Sequence, residues 1–261
     1  NYSEDYGVPF TPAIGLEGRI WKLLYMKMSF SRNFRIPTFN ERYWVPGGND
    51  NLDPEKSWNQ EVSFLIKPQS INKSILYELH FTMYNSLVDN WILWIPSGSF
   101  SEPVNIKEVW SRGIELEGKM VYKFVHSDIQ LNGGCTFARS TNEIKLSDLD
   151  ESYKKQLIYV PVNRVFLKLT YSVRNWFISY DHQYTGIRYT TPDNSSYLPG
   201  YNLGNLSIGQ FRSMNQTMMD VRLEVMNIWN KKYQSVAYYP MPGRYFRMVI
   251  GIKLKAKKDE S

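Results

Sequence analysis

The chain has 261 residues, of which 43% are apolar and 15% aromatic, and its formal net charge is +6. Its mean hydropathy is negative, and no apolar run approaches the roughly 20 residues that a spanning helix needs, which excludes a helical membrane protein. A membrane protein made of strands is not excluded, because its lipid-facing and water-facing residues alternate and average to a polar sequence.

Alternation of apolar and polar residues with a period of two runs along the chain and predicts antiparallel strands. We place strands near residues 10–20, 23–33, 57–67, 74–95, 108–124, 127–140, 161–172, 175–189, 202–212, 217–227 and 243–255. The last strand shows the pattern best. Its apolar phase consists of Phe246, Met248, Ile250, Ile252 and Leu254.

The connections between these strands alternate between long and short. Long connections are predicted at 34–56, 96–107, 141–160, 190–201 and 228–242, and short ones at 68–73, 125–126, 173–174 and 213–216. A soluble sandwich has no reason to keep its long loops at one end, whereas outer-membrane barrels join their strands by short periplasmic turns and longer extracellular loops. Strands of ten or more residues also suit a tilted path through a bilayer.

Aromatic residues near the strand ends could form the interfacial girdles of such a barrel, although aromatic residues favour strands in any context. The candidates are Trp21, Trp44, Trp91, Trp94, Trp110, Trp176, Tyr184 and Tyr189.

No catalytic or metal-binding constellation is predicted, so we do not expect an enzyme. The three histidines, His80, His126 and His182, share no metal-ligand spacing, and the single cysteine has no partner. Acidic residues of the connection 141–160 are of a type that binds Ca²⁺, but an exposed acidic loop is the simpler interpretation. We expect no cofactor and no nucleic-acid partner, because the basic residues are scattered apart from the solvated run Lys253–Lys258.

Two segments are more specific than strand propensity requires. The first reads Asn-Phe-Arg-Ile-Pro-Thr-Phe-Asn-Glu-Arg-Tyr over residues 33–43, and continues as Gly-Asn-Asp-Asn-Leu-Asp-Pro-Glu-Lys-Ser over 48–57. The second reads Asn-Ile-Trp-Asn-Lys-Lys-Tyr over 227–233, followed by Tyr-Pro-Met-Pro-Gly-Arg-Tyr-Phe over 239–246. Their prolines and glycines also have a plain architectural interpretation, since they stop strand pairing and form turns.

Both segments resemble the C-terminal barrel of TonB-dependent receptors, the active importers of the Gram-negative outer membrane. Three further landmarks are similar to the same family: the Arg-Gly-Ile-Glu-Leu-Glu strand at 112–117, Tyr-Thr-Gly-Ile-Arg-Tyr at 184–189, and Tyr-Leu-Pro-Gly-Tyr at 197–201. The resemblance covers nearly the whole chain in the expected order.

The resemblance implies an all-β, antiparallel, up-and-down transmembrane barrel, of which this chain supplies the C-terminal half. Such barrels have about 22 strands, against the eleven predicted, and the family's plug domain is expected to be absent. We assign residues 1–255 to the barrel portion and 256–261 to a charged tail. The family usually finishes on an aromatic residue, whereas here Leu254 precedes the charged tail.

The implied function is active uptake of a scarce nutrient of the iron–siderophore or cobalamin class, without activity in the absence of the plug and N-terminal strands. The implied partners are outer-membrane lipid, the rest of the barrel, a small-molecule nutrient, and the TonB complex acting through the plug. The candidate ligand contacts in the external loops are Tyr43, Trp44, Tyr197, Tyr238 and Tyr239. The alternatives are a soluble all-β carbohydrate-binding module and a passive porin-like barrel.

Overall fold

A computed structural model describes residues 7, 9–67, 74–145, 147–214 and 217–254. The elements in chain order are β1 Ala13–Trp21, β2 Leu24–Arg35, α1 Phe39–Tyr43, β3 Glu55–Ile66, β4 Ile75–Ser97, β5 Phe100–Lys123, β6 Ser127–Asn142, β7 Asn163–Val173, β8 Trp176–Thr185, β9 Arg188–Tyr189, β10 Tyr197–Leu198, β11 Tyr201–Met214, β12 Thr217–Met226, β13 Gln234–Val236, β14 Tyr239–Pro240 and β15 Tyr245–Leu254. The described residues contain no helix long and apolar enough to cross a membrane.

Eleven strands form one antiparallel sheet in the order β1-β2-β3-β4-β5-β6-β7-β8-β11-β12-β15. Each strand therefore pairs with the next long strand of the chain, which confirms the predicted up-and-down arrangement and the number of strands. The sheet is open, since β1 and β15 each have a neighbour on one side only. Two small ribbons, β9 with β10 and β13 with β14, lie in the connections.

The register gives the sheet one apolar face, because apolar residues of adjacent strands lie opposite one another. Met248 of β15 lies opposite Leu223 of β12, which lies opposite Ile208 of β11. The same row continues through Ile178 of β8 to Tyr171 of β7. A shift of one residue would turn every one of these side chains to the other face, so the alternation seen in the sequence also fixes the pairing.

The opposite face is polar and carries hydrogen bonds between neighbouring strands. The Ser63 and Thr82 hydroxyl oxygens lie 3.1 Å apart on β3 and β4, and those of Thr170 and Ser179 lie 2.9 Å apart on β7 and β8. Near the edge of the sheet, Arg247 of β15 forms an ion pair of 2.6 Å with the buried carboxylate of Glu224 on β12. A sheet with one apolar and one polar face is the expected form of a barrel wall with a wet interior.

The long connections and the tight turn between β4 and β5 leave one end of the sheet, called the loop end here, and the remaining short connections leave the other, called the turn end. The long connections are loop A (36–54), loop B (143–162), loop C (186–200) and loop D (227–244). The short connections at 125–126 and 173–174 are confirmed. Residues 68–73, 215–216 and the predicted tail 256–261 lie outside the described residues.

The predicted long connection at 96–107 is wrong, because β4 and β5 continue through it. The two strands stay paired as far as Ser97 and Phe100 and turn at Gly98, whose φ is +63°. This segment contains Pro96 and Pro103. They are tolerated because residues 90–107 form a two-stranded ribbon beyond the ends of β3 and β6, so that each strand has a free edge where no third strand needs its N–H groups. We call this ribbon the hairpin extension.

The well-buried apolar side chains of the described residues lie at the loop end rather than in the middle of the sheet. They are Leu52, Val88, Ile92, Val109, Leu157 and Ile158. The middle of the sheet is a single layer, so its apolar side chains remain partly exposed. The core of this chain is therefore built from its loops and the hairpin extension.

A network of charged residues attaches loop A to this core. Thr38 and Glu41 form a capping box at the start of α1, in which each side chain accepts a hydrogen bond from the other residue's backbone N–H. Arg35 donates to Glu41 at 2.9 Å and to Glu55 at 2.6 Å. Glu55 also accepts from the backbone N–H of Ile92 at 2.8 Å, so the network links loop A to the hairpin extension.

Replacement of Glu41 by Gln should loosen loop A, because it removes the charge that pairs with Arg35. Arg35 is 41% exposed, so we expect a modest loss of about 1 kcal/mol in the local opening free energy. Hydrogen exchange of the Asn49 amide, which donates to the Glu41 carbonyl, measures it. Asp148→Asn is the control, since Asp148 is fully exposed in loop B. An equal loss of opening free energy at Asn49 in the Asp148→Asn variant would contradict the interpretation.

The same network should respond to acid. Burial alone would raise the pKa of Glu41, but hydrogen bonds from Arg35 and Thr38 outweigh it and lower the pKa. The resulting stabilisation is complete above the pKa of an unfolded glutamate, about 4.3, and is lost as the pH falls through the lower pKa of the folded loop. Exchange at Asn49, corrected for the intrinsic rate, should therefore accelerate below about pH 4 and not between pH 5 and 7. The Glu41→Gln variant should show no such dependence.

The chain on its own should not form a soluble monomer. Its apolar face is uncovered and its two edge strands leave N–H and C=O groups unpaired, which are the features that drive association. We expect the isolated chain to sediment without detergent and to associate when solubilised. A monodisperse monomer in plain buffer, measured by analytical ultracentrifugation, would contradict the membrane interpretation.

Candidate functional site

The loop end of the sheet holds four long connections, of which loops A and B contact the hairpin extension. Loop A is fixed to the extension by Asn105, whose side chain accepts from the Asp53 N–H at 2.8 Å and donates to the Asp53 carbonyl at 3.0 Å. The side chain of Asn49 also donates to the carbonyl of Pro103 at 3.1 Å. These bonds make loop A a fixed surface rather than a free tether.

Loops B and C are joined by a reciprocal pair of amide contacts. The Asn194 side chain accepts from the Gln156 N–H at 2.9 Å and donates to the Gln156 carbonyl at 2.8 Å. The Gln156 side chain, itself buried, accepts from the Ser140 N–H at 3.0 Å and so connects both loops to the end of β6. Each of these polar groups is satisfied inside the loop assembly, as burial requires.

Loops C and D meet at Arg188, which is 4% exposed. Its Nη2 donates to the carbonyl of Pro199 in loop C at 3.0 Å and to that of Gln234 in loop D at 3.2 Å. The guanidinium lies 4.7 Å from the ring centre of Tyr201, which in turn contacts the ring of Tyr233 at 4.5 Å. Burial lowers the pKa of Arg188, but an arginine stays charged at neutral pH.

A small cavity of about 230 Å³ lies between the hairpin extension and loop B. Its lining is mainly apolar, with Leu93, Val104 and Ile106 from the extension and Leu157 and Ile158 from loop B. The extension is therefore held between two loops, with loop A hydrogen-bonded to it and loop B against the cavity.

The five residues predicted to contact ligand all lie at the loop end and are exposed, but they fall into two groups. Tyr43 and Trp44 end α1 in loop A, with exposed fractions of 44% and 52%. Tyr197, Tyr238 and Tyr239 belong to loops C and D, with exposed fractions of 58%, 92% and 68%. No contact between the two groups is seen in the described part of the chain, and their role in binding stays a prediction.

Sequence reasoning missed the residues that hold the loops together. They are Asn105, Gln156, Arg188 and Asn194. Arg188 had a visible signal, since it lies in the 184–189 motif, to which no role was given. The acidic residues of loop B are engaged locally: Asp148 pairs with Lys145 at 3.1 Å, and Asp150 accepts from the Ser152 hydroxyl at 2.6 Å.

Curated relatives match almost the whole chain. A protein named vitamin B12 transporter BtuB, from Photobacterium profundum, is 26% identical over 249 residues, which is 94% of this chain and 38% of the relative. A protein of the same name from Vibrio vulnificus is 24% identical over 247 residues, or 90% of this chain and 35% of the relative. The chain thus spans little more than a third of the length of these relatives.

Solved structures share the fold. The copper transporter OprC has a TM-score of 0.66 at 15% identity, covering 91% of this chain and 38% of that protein. BauA, the ferric preacinetobactin receptor from Acinetobacter baumannii, has a TM-score of 0.63 at 15% identity, covering 93% of this chain and 36% of that protein. The open sheet described above therefore corresponds to part of the barrel in these proteins.

The family assignment comes from the sequence as a whole. The family model described as "TonB dependent receptor-like, beta-barrel" matches residues 1–228. This range includes ten of the eleven sheet strands, from β1 to β12. It also includes the motifs at 33–57, 112–117 and 184–201, which resemble the barrel of TonB-dependent receptors. The chain belongs to the TonB-dependent receptor-like β-barrel family.

Proposed function

We propose that this chain forms the C-terminal part of the barrel of a Gram-negative outer-membrane receptor that takes up a scarce nutrient with energy delivered through TonB. The observation that carries this proposal is an eleven-stranded sheet with one apolar face and with its long loops at one end, in a chain that belongs to this receptor family. The apolar face contacts lipid, the polar face lines the barrel interior, and the loop end faces the outside.

The chain acts only as part of a larger barrel. Open edges at β1 and β15 would leave N–H and C=O groups without partners in hydrocarbon, where each unsatisfied group costs several kcal/mol. Residues 1–255 are the barrel portion and 256–261 a charged tail. The remaining strands and the plug supply the second half of the wall and the contact to the TonB complex, so that the chain alone is inactive.

Among the two nutrient classes, cobalamin has the stronger support, because the curated relatives that cover nine-tenths or more of the chain are named vitamin B12 transporters. The structural neighbours, whose names include siderophore receptors, are far lower in identity and support the fold. An iron–siderophore complex is therefore the second candidate.

The exposed tyrosines of loops C and D are proposed to contact the nutrient on its way in. Tyr197 lies on the ribbon β9–β10 and Tyr239 on the ribbon β13–β14, with Tyr238 in the turn of the second ribbon. The buried Arg188 links the two ribbons through the carbonyls of Pro199 and Gln234. Flat aromatic rings on a fixed support bury a large ligand surface at low entropic cost. Tyr43 and Trp44 offer a second aromatic surface on loop A.

Uptake should depend on the complete receptor and on TonB. In a cobalamin-requiring strain without its own receptor, the complete receptor should restore growth on limiting cobalamin, whereas this chain alone should not. Deletion of tonB should abolish the restored growth. Growth supported by the chain alone, or growth independent of TonB, would contradict the proposal, and restoration under iron limitation only would favour the siderophore class.

Replacing both Tyr238 and Tyr239 by Ala should weaken nutrient binding to the complete receptor without unfolding it, because both rings are exposed. Removal of two aromatic contacts should raise the Kd for cyanocobalamin about tenfold, as measured by isothermal titration calorimetry. Tyr153→Ala in loop B is the matched control. If the Kd of the double variant stays within twofold of the unchanged receptor, these residues are not ligand contacts.

A further inference from the structure

Two arginines lie directly opposite each other on the apolar face of the sheet. Arg112 of β5 is in register with Arg139 of β6. Two residues nearer the turn end, the same strands carry Ile114 and Phe137, which are also in register and on the same face. The arginines therefore stand where the apolar surface ends and the loop end begins.

The arrangement is unfavourable within the chain itself. Like charges directly opposite on adjacent strands destabilise a sheet, and the register sets these two arginines directly opposite each other. Arg112 donates to the Trp110 carbonyl and the Thr141 hydroxyl, each at 3.1 Å. Arg139 is exposed and makes no hydrogen bond or ion pair with any residue that the structure describes.

Tryptophans and a third arginine extend this feature across β2 to β6. Arg32 lies opposite Trp58 in the next row of the same face toward the loops, two residues along the strands from the row of Arg112. The Arg32 guanidinium is 5.4 Å from the centre of the Trp58 ring. Trp110 stacks on Arg112, with 3.6 Å between the guanidinium and the ring centre, and donates from its indole N–H to Asn85 at 2.6 Å. We call Arg32, Trp58, Trp110, Arg112 and Arg139 the arginine belt.

Of the acidic residues near the belt, Glu143 attracts Arg112 through space without forming an ion pair with it. Asp89 and Glu108 lie opposite each other, two residues beyond Leu87 and Trp110 toward the loops. Glu143 is the first residue of loop B, directly after the strand of Arg139. Glu143 accepts a hydrogen bond from the Thr141 hydroxyl. No ion pair between these carboxylates and Arg112 or Arg139 occurs in the described ranges of the chain. An anion from outside the chain would therefore relieve the repulsion.

We propose that Arg112 and Arg139, flanked by Trp58 and Trp110, bind the phosphate of a membrane lipid in the leaflet that faces the loops. Guanidinium groups match phosphate oxygens in charge and geometry, and tryptophan favours the headgroup level of a bilayer. The apolar row of Ile114 and Phe137, directly toward the turn end, accommodates the acyl chains. The inference rests on the proposed placement of the apolar face in lipid.

The test uses the complete receptor in a nonionic detergent, with dioleoyl phosphatidic acid as the probe and native mass spectrometry as the readout. The variant carries Arg112→Gln and Arg139→Gln. Loss of two cationic contacts should raise the Kd for the first bound phosphatidic acid about tenfold. Phosphatidylcholine, whose zwitterionic headgroup carries no net charge, should bind the variant and the unchanged receptor alike.

The matched control carries Lys119→Gln and Lys168→Gln, which remove the same charge from the polar face, and its Kd should change less than twofold. Arg139→Gln alone is the fallback, because Arg139 has no described partner whose loss could unfold the barrel. Equal effects in both double variants, or none in either, would overturn the proposal. So would competition by inorganic phosphate at the concentration of the lipid, since that identifies a free-anion site.

Cobalamin-dependent growth separates this inference from the proposed function. A variant that loses the lipid preference but still supports uptake confirms a lipid site in a working receptor. A receptor that binds phosphatidic acid through the belt but never supports TonB-dependent uptake retains the lipid site and overturns the transport proposal.

Discussion

Every strand of a sheet that lies in lipid needs a neighbour on both sides, because hydrocarbon offers its N–H and C=O groups no other partner. All strands of this sheet meet that condition except β1 and β15. The rest of the molecule follows from it: the strands must pair in sequence order, the connections must alternate between the two ends, and the edges must be closed by strands beyond this sheet. Packing within the sheet contributes little, since it is a single layer.

Stability is distributed accordingly. In the sheet, the fixed features are backbone pairing and the register, which places apolar side chains such as Met248 and Leu223 opposite each other. Buried side chains occur at the loop end, where Val109 is fully buried and Leu52 and Ile158 nearly so. The loops are thus the part of the chain that most resembles the interior of a soluble protein. Arg188 and Asn105 fix their relative positions through hydrogen bonds to backbone carbonyls.

The strands were predictable from the sequence because a period of two specifies the strand, its two faces and its register at once. The family was predictable from motifs at fixed places, such as residues 33–43 and 184–189. The hairpin extension was not predictable, because proline normally ends strand pairing. Pro96 and Pro103 are tolerated there since no third strand pairs with β4 or β5 in this ribbon. The contacts between loops were not predictable from the sequence either, since Gln156 and Asn194 are 38 residues apart and no periodicity relates them.

The girdle hypothesis stays a prediction for Trp110 and Trp176, which lie on strands of the sheet, whereas Trp44 and Tyr189 belong to loops. Trp58 was not among the candidates, although it lies near the start of β3. Position on a strand, rather than residue type, decides which aromatic residues share a level, and that level is visible only once the register is known.

The hairpin extension also connects two loops to the same pair of strands. β4 and β5 run without interruption from the turn end to Gly98, and their outer halves touch loop A through Asn105 and loop B around the cavity. Asn90, whose φ is +57°, marks the point where the extension leaves the sheet. Loops A and B are therefore attached to the same two strands, so that the outer surface and the sheet share one continuous hydrogen-bonded ribbon in this part of the chain.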